Sequence, residues 1–169
     1  KNISALPFVI DILKEKYFSW KSWANFADAG ETPVLKKYHY VVLDTTDETA
    51  IANTLMSVKT FVLSHSNPYQ SSAFLIRYNE NYVLYLGDTG ADTIEHSQRL
   101  RQLWKSIAPL VNDKKLKGIF IETSFPDEQP DKQLFGHLTP QFLMNEMRIL
   151  SGFCKDVKAL AGLPVIITH

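Results

Sequence analysis

The sequence carries no surplus of charge of either sign, since 18 Lys and Arg residues balance 18 Asp and Glu residues. Proteins that bind nucleic acids or anionic membranes broadly carry an excess of basic residues. The balance therefore argues against a nucleic-acid partner and against a membrane partner, while a local basic patch stays open.

Cysteine and long apolar runs are also scarce. Cys154 is the one cysteine of the chain, which excludes an internal disulfide framework and favours a reducing, cytoplasmic compartment. No run approaches the roughly 18–20 consecutive apolar residues of a membrane span. The 169 residues are 45% hydrophobic and 21% charged, and they contain no internal repeats. This composition is typical of a folded globular protein.

Hydrophobic periodicity predicts helices alternating with strands. The predicted helices are Ala5–Phe18, Thr93 to about Ile107, and Pro140 through Leu160. Thr139 is expected to cap the third helix, Gly162 to end it, and Pro109 to follow the second. The predicted strands are Lys36–Asp44, Ser57–Ser64, Ser72–Tyr78, Tyr82–Leu86, Leu116–Ile121 and Leu163–Thr168, the third and fourth forming a hairpin. This order indicates a layered α/β fold.

Polar side chains lie where these strands end or the last helix begins. The five are His65, Asp88, Glu122, His137 and His169. In layered α/β folds, sites are assembled at strand ends and in the loops beyond them. Imidazole and carboxylate groups are suitable ligands for zinc and related divalent metals. Two histidines and an aspartate among them could therefore contribute to one metal centre.

Simpler interpretations of these residues stay open. A lone histidine at a strand end is more often a surface or capping group than a ligand, and Asp88 in Gly-Asp-Thr-Gly is typical of a turn. His39 and His96 are assigned no function, and Asp92 and Glu95 are expected to be solvated loop or cap charges. From spacing alone, a metal site is the minority hypothesis.

Six segments of the chain carry a more specific signal. They are Ser-His-Ser at 64–66, Ser-Ala-Phe-Leu-Ile at 72–76, Leu-Gly-Asp-Thr-Gly at 86–90, Gly-Ile-Phe-Ile-Glu-Thr-Ser-Phe-Pro at 118–126, Leu-Phe-Gly-His-Leu-Thr-Pro at 134–140 and Gly-Leu-Pro-Val-Ile-Ile-Thr-His at 162–169. Together they resemble the class II cyclic nucleotide phosphodiesterases, the fungal-type branch of the metallo-β-lactamase superfamily. Gly-Asp-Thr-Gly is shared across that superfamily, whereas the fourth and fifth segments at this separation are far more specific.

The resemblance implies both metal ligands and a catalytic pair. It assigns His65 and His169 as ligands and Asp88 as the carboxylate that bridges two divalent metal ions, with zinc expected. It assigns Glu122 and His137 to a pair in which the carboxylate orients an imidazole near the leaving group, a loop salt bridge being the alternative. The implied reaction is hydrolysis of cyclic AMP, and of cyclic GMP, to the 5′-monophosphate by a metal-activated hydroxide.

The chemistry of that reaction agrees with these roles. A cyclic phosphodiester is anionic and resists neutral water. Two metals about 3.5–4 Å apart neutralise the phosphate and generate hydroxide near neutral pH. The departing 3′-oxygen needs a proton, which an imidazole can supply near pH 7.

One element of the family pattern is missing. The ligand cluster His-x-His-x-Asp-His is absent from all 169 residues, and the chain starts at Lys1 rather than at Met. We therefore expect residues 1–169 to be the C-terminal part of a single metallo-hydrolase domain. Its partner would be the N-terminal half that carries the cluster, and the intact fold would be a four-layer αββα sandwich of the metallo-β-lactamase type.

Two other functions remain open. One is another phosphodiesterase of the same fold, such as a tRNA 3′-processing nuclease, although the Gly-rich, basic insertion that would grip RNA is missing. The other is a non-catalytic binding or regulatory module, which metal analysis would distinguish from an enzyme. Tyr69, Phe125 and Phe135 are candidates for stacking against a base, with simple packing as their expected role.

Overall fold

The computed structural model describes residues 1–168, which form two compact units, Lys1–Thr49 and the chain from Ala50 onward. The strands are β1 (Asn2–Ala5), β2 (His39–Val42), β3 (Thr49–Ala50), β4 (Met56–Ser64), β5 (Gln70–Tyr78), β6 (Asn81–Leu86), β7 (Leu116–Ile121) and β8 (Val165–Ile167). The α-helices are α1 (Pro7–Ile12), α2 (Asp92–Glu95), α3 (Arg99–Asn112) and α4 (Pro140–Phe153). None of the helices within these residues is long and apolar enough to span a bilayer.

The first unit is built around one helix and two strands. Helix α1 has Pro7 at its first position, where the missing N–H costs nothing, and passes into a π-helical turn at Leu13–Tyr17. The predicted helix is therefore confirmed over Pro7–Tyr17, with a change of geometry part-way. Strand β2 is shorter than predicted and pairs in parallel with β1. The small core of this unit contains Ala5, Ile10, Ala27 and Tyr40.

The second unit is a six-stranded sheet in the order β3-β4-β5-β6-β7-β8. Strands β4, β5 and β6 are antiparallel neighbours, whereas β6, β7 and β8 are parallel. The predicted hairpin is confirmed, with Tyr78 opposite Asn81 and Asn79 in the left-handed region at φ +53°. Strands β4, β6, β7 and β8 consequently run in the same direction and end at the same edge of the sheet.

Helices α3 and α4 supply the core that covers one face of this sheet. Alternate strand residues such as Leu84, Leu86 and Ile119 are almost fully buried, together with Leu103 and Trp104 of α3. Burial of each such side chain contributes roughly 1.5–3 kcal/mol. The helices therefore hold the sheet edge, where the strands end, in a fixed position.

The predicted helix from Thr93 to about Ile107 starts within one residue of α2, but it is interrupted after Glu95 and its predicted end comes too early. Helix α2 stops at Glu95 because His96 adopts φ +51°, and α3 starts only at Arg99. The Asp92 carboxylate accepts hydrogen bonds from the N–H groups of Leu100 and Arg101, so it caps α3. At the other end α3 continues past Pro109 to Asn112, because burial of Val111 stabilises the last turn.

The third predicted helix is correct at its start and too long at its end. The Thr139 hydroxyl accepts a hydrogen bond from Phe142 N–H at 3.3 Å, which confirms the N-cap. Helix α4 ends at Phe153 because Cys154 is extended, with ψ 157°. Val157, placed by periodicity on the apolar stripe, is 83% exposed. Gly162, at φ +79°, lies in the turns that follow the helix and precede β8.

Candidate active site

The sheet topology gathers three of the five predicted site residues at one edge. His65 directly follows β4, Asp88 lies two residues after β6, and Glu122 directly follows β7. Because these three strands run in the same direction, their carboxyl ends meet at this edge. The loop that leads into α4 brings His137 to the same edge, where its ring contacts that of His65.

A group of potential metal ligands lies at this edge. Ligand atoms of His65, Asp88 and His137 all lie within 4.8 Å of one another, and the three side chains are half-buried. The His65 and His137 rings meet edge to face, with centroids 4.9 Å apart. Two imidazoles and a carboxylate are a donor set that zinc and related metals accept. The residues present therefore fit a divalent metal ion.

The second nitrogen of His65 supports this fit. His65 Nδ1 lies 3.0 Å from the Gly136 carbonyl oxygen, which can only accept a hydrogen bond. The proton is thereby assigned to Nδ1, and Nε2 carries the lone pair. A hydrogen bond from the non-ligating nitrogen to a carbonyl is the usual support for a metal-binding histidine, since it fixes the tautomer and the ring orientation.

Glu122 forms a buried support behind His137. Its side chain is about 1% exposed, and Oε1 lies 3.1 Å from His137 Nδ1. Oε1 also accepts from the N–H groups of Leu138 at 3.1 Å and Thr89 at 3.4 Å, while Oε2 accepts from the Ser124 hydroxyl at 2.6 Å. With the carboxylate as acceptor, the His137 proton is assigned to Nδ1, and Nε2 is the nitrogen that serves the site.

The predicted residues thus converge in a pattern that differs in one respect from the expectation. His137, which the resemblance assigns to proton transfer, lies within the same group as the predicted ligands His65 and Asp88. The predicted contact between Glu122 and His137 is present. His169, the third predicted ligand, lies outside the described residues.

Sequence reasoning missed the residues that hold His65 in place. Glu95, expected to be a solvated charge, is only 5% exposed, and that expectation is wrong. Its Oε2 accepts hydrogen bonds from the Ser64 hydroxyl and from Asn67 N–H, each at 3.0 Å, on the two sides of His65. Asp92 is buried too, although its predicted capping role is confirmed. Gly90 makes room for this carboxylate, because a Cβ there would lie 2.6 Å from Glu95 Cγ, and only the structure reveals that contact.

The three aromatic candidates have different surroundings. Phe125 meets the His137 ring edge to face, with centroids 5.8 Å apart, and is half-buried. Tyr69 is 71% exposed and Phe135 63% exposed, so simple packing is the wrong role for both. The rings of Tyr69 and Phe135 are therefore open to solvent.

Comparison with known proteins assigns the family. The family model of class-II cAMP phosphodiesterases matches residues 1–169. The chain belongs to this family. A 3′,5′-cyclic-nucleotide phosphodiesterase of Aliivibrio fischeri is 44% identical over the whole chain, which covers 51% of that protein. The crystal structure of unliganded yeast PDE1 superposes with a TM-score of 0.89 at 28% identity, over 100% of this chain and 48% of that one.

The same comparisons confirm the fold. A metallo-β-lactamase fold protein, YhfI from Bacillus subtilis, matches over 78% of this chain and 54% of its own, with a TM-score of 0.50 at 13% identity. The α/β fold of the metallo-β-lactamase type is therefore confirmed. The chain spans about half the length of the curated relatives it matches.

Proposed function

We propose that the protein to which this chain belongs is a hydrolase that opens 3′,5′-cyclic nucleotides, cyclic AMP and cyclic GMP, to the 5′-monophosphates. The observation that carries the proposal is the group of His65, Asp88 and His137, with the buried Glu122 behind His137. The family of the chain and the similarity to the 3′,5′-cyclic-nucleotide phosphodiesterase of Aliivibrio fischeri support the substrate class. Residues 1–169 would act as part of one metallo-hydrolase domain, together with a half that carries His-x-His-x-Asp-His.

His65 and Asp88 would hold divalent metal, with zinc favoured by the imidazole and carboxylate donors. We keep His169 as a further ligand in this proposal. When bound, a pair of such metals supplies charge neutralisation of the phosphate and a hydroxide nucleophile near neutral pH. The protein contributes by holding the ligands in fixed orientations. For His65, the hydrogen bond from Nδ1 to the Gly136 carbonyl oxygen fixes the ring.

The pair of Glu122 and His137 would handle the proton. Glu122 Oε1 accepts a hydrogen bond from the Nδ1–H of His137 and so leaves Nε2 to face the site. A protonated Nε2 can give its proton to the departing 3′-oxygen, which is a poor leaving group as an alkoxide. Three hydrogen bonds hold the Glu122 carboxylate in place and offset the free-energy cost of burying its charge. They come from the Ser124 hydroxyl and from the N–H groups of Thr89 and Leu138.

The test separates ligand from proton donor by measuring metal content and turnover of the full-length protein together. We expect Asp88→Ala to lose both bound metal and turnover of cyclic AMP. We expect His137→Asn to keep its metal, because His65 and Asp88 remain, and to lose roughly 10²- to 10⁴-fold in kcat, the range for general acid catalysis. Glu122→Gln should also lower kcat, with little change in metal content.

Glu128→Gln is the matched control, because Glu128 is an exposed acid of the neighbouring loop. It should leave metal content and kcat unchanged. Loss of metal in His137→Asn would make His137 a ligand and contradict the proton-donor role. Absence of bound metal from the unmodified protein would contradict the enzyme and favour a binding module.

A further inference from the structure

A cavity of about 340 Å³ opens beside the metal-ligand group. This volume lies within the range of roughly 300–1,000 Å³ that is typical of small-molecule sites. Its wall includes Ser66 and Gly136, which are the chain neighbours of His65 and His137. A ligand whose phosphate lies at the ligand group therefore has this cavity next to it.

The cavity is suited to a neutral group rather than to the phosphate. Its wall carries the exposed carboxylate of Asp131 and the buried carboxylate of Glu95, whose Oε2 already accepts two hydrogen bonds, together with Lys132 and His96. The two acidic groups disfavour a phosphate here, whereas a base with N–H groups can donate to the exposed carboxylate of Asp131. This arrangement leaves the phosphate at the metal-ligand group.

Phe135 offers an aromatic surface at this cavity. It lines the wall, is 63% exposed, and has φ +49°, which a bulky residue adopts only at a cost of roughly 1–3 kcal/mol. Next to it, Gly136 at φ +82° packs so closely that a Cβ would lie 2.2 Å from Ser66 N. The backbone is therefore held in the conformation that turns the Phe135 ring away from the core.

Asp131 lines the same cavity from the loop before Phe135. It is exposed, and within residues 1–168 no hydrogen bond or ion pair engages its carboxylate. A carboxylate can accept two parallel hydrogen bonds from the adjacent N1–H and N2–H groups of guanine, whereas the amino group of adenine offers one donor edge. Asp131 is thus placed to sense the edge of a purine.

We propose that this cavity is the nucleoside subsite of the enzyme, in which the purine of the cyclic nucleotide stacks on Phe135 and turns its edge toward Asp131. The proposal rests on the proposed function, since it places the base of the same substrate. Stacking on an aromatic ring does not distinguish one base from another, whereas Asp131 adds a preference for guanine over adenine.

The test compares ligands with and without a base on the metal-loaded, full-length protein. Phe135→Ala should weaken binding of 5′-AMP, measured by calorimetry, roughly 5- to 150-fold, the effect of removing one stacking ring. Binding of ribose 5-phosphate, which lacks the base, should change less than twofold, and metal content should stay the same. The KM for cyclic AMP should rise with a small change in kcat, and Phe135→Trp should restore both.

Tyr78→Ala is the matched control, because Tyr78 is an aromatic of the hairpin that is 50% exposed and does not line the cavity. It should leave 5′-AMP binding unchanged. Asp131→Asn should weaken 5′-GMP more than 5′-AMP, and equal effects on the two would overturn the placement of the purine edge. Equal weakening of 5′-AMP and ribose 5-phosphate by Phe135→Ala, or no weakening of 5′-AMP, would overturn the subsite.

Failure of the proposed reaction gives a different result. If Phe135→Ala weakens 5′-AMP selectively in a protein that does not hydrolyse cyclic AMP, the subsite is supported and the reaction is contradicted. If cyclic AMP is hydrolysed with an unchanged KM in Phe135→Ala, the reaction stands and the subsite is wrong.

Discussion

Among the described glycines, Gly136 is the one whose replacement would bring a Cβ closest to a neighbouring atom, and it lies at the candidate site. A Cβ there would lie 2.2 Å from Ser66 N and 2.7 Å from His65 Nδ1, and φ is +82°. Both contacts are shorter than any tolerated separation, and the first involves backbone that cannot rotate away. Glycine at this position therefore allows the loop before α4 to reach the loop after β4.

We predict that Gly136→Ala displaces His65 and lowers both metal content and the midpoint of thermal unfolding. Gly152→Ala is the control, because Gly152 lies in α4 with nothing within 4 Å of its Cβ position. That change should stabilise the protein by roughly 0.5–1 kcal/mol, the helix-propensity gain of alanine. Equal metal content in Gly136→Ala and in the unmodified protein would contradict the argument.

Tyr40 has an unsatisfied polar group in the core of the first unit. Among the described residues, its hydroxyl is the one buried side-chain polar atom without a hydrogen-bond partner. Burial raises the pKa of Tyr40, with the nearby Asp28 charge acting in the same direction. The hydroxyl thus loses its hydration without a replacement.

We predict that Tyr40→Phe leaves the free energy of unfolding unchanged or raises it by about 1 kcal/mol, because it removes an unsatisfied buried group. Tyr17→Phe, at a ring that is 53% exposed, should change it by less than about 0.5 kcal/mol. Denaturant unfolding of both variants measures the difference. A clear loss of stability in Tyr40→Phe would show that the hydroxyl has a partner.

At the scale of elements, a hydrogen bond to a buried carboxyl group joins α3 to α4. Trp104 is fully buried, and its Nε1–H donates to Glu146 Oε2 at 2.7 Å. Burial raises the pKa of Glu146 above its ordinary value of 4.5, and the Asp92 charge raises it further, while the bond from Trp104 opposes both. The contribution of Glu146 to stability is therefore complete below pH 4.5 and is lost as the pH rises through the raised value.

We predict that Glu146→Gln, which keeps an oxygen for Trp104, is more stable than the unmodified protein at pH 7–8. The difference in free energy of unfolding should shrink toward pH 4, where both side chains are neutral. Glu128→Gln, at an exposed loop position, should give no such pH-dependent difference. A constant difference between pH 4 and pH 8 would contradict the raised pKa of Glu146.

For some elements, the local sequence pattern is sufficient to predict the structure. The hairpin of β5 and β6 follows from two alternating runs around Asn79, which tolerates the left-handed conformation. The break at His96 and the end of α4 at Phe153 are not marked by such an alternating pattern. They depend on Asp92, which caps α3, and on Asn112, whose side chain accepts from Lys155 N–H at 3.0 Å after α4.

At the scale of the molecule, metal binding should be linked to folding. A ligand that binds only the folded state adds about 2.7 kcal/mol of stability at a concentration 100 times its Kd. We predict that Zn²⁺ raises the midpoint of thermal unfolding of the metal-free, full-length protein, and that His65→Ala reduces this increase. Glu128→Ala should keep the full increase. An undiminished increase in His65→Ala would place the metal elsewhere.

The sequence by itself determined the family, the α/β order of elements and the residues that follow the strands. It did so because strand periodicity is local, and because His65, Asp88, Glu122 and His137 stand in motifs that can be recognised without coordinates. The ligand role of His169 stays a prediction, since that residue lies outside the described part of the chain.

Only the tertiary structure decided which of these side chains meet, and what holds them. The parallel directions of β4, β6 and β7 place three strand ends at one edge, although the residues are up to 57 positions apart in the chain (Glu122 and His65, 122 − 65). Burial of Glu95, exposure of Phe135 and the close approach of Gly136 to Ser66 arise from packing between distant segments. Such contacts have no local signature, because their energy depends on neighbours that the fold supplies.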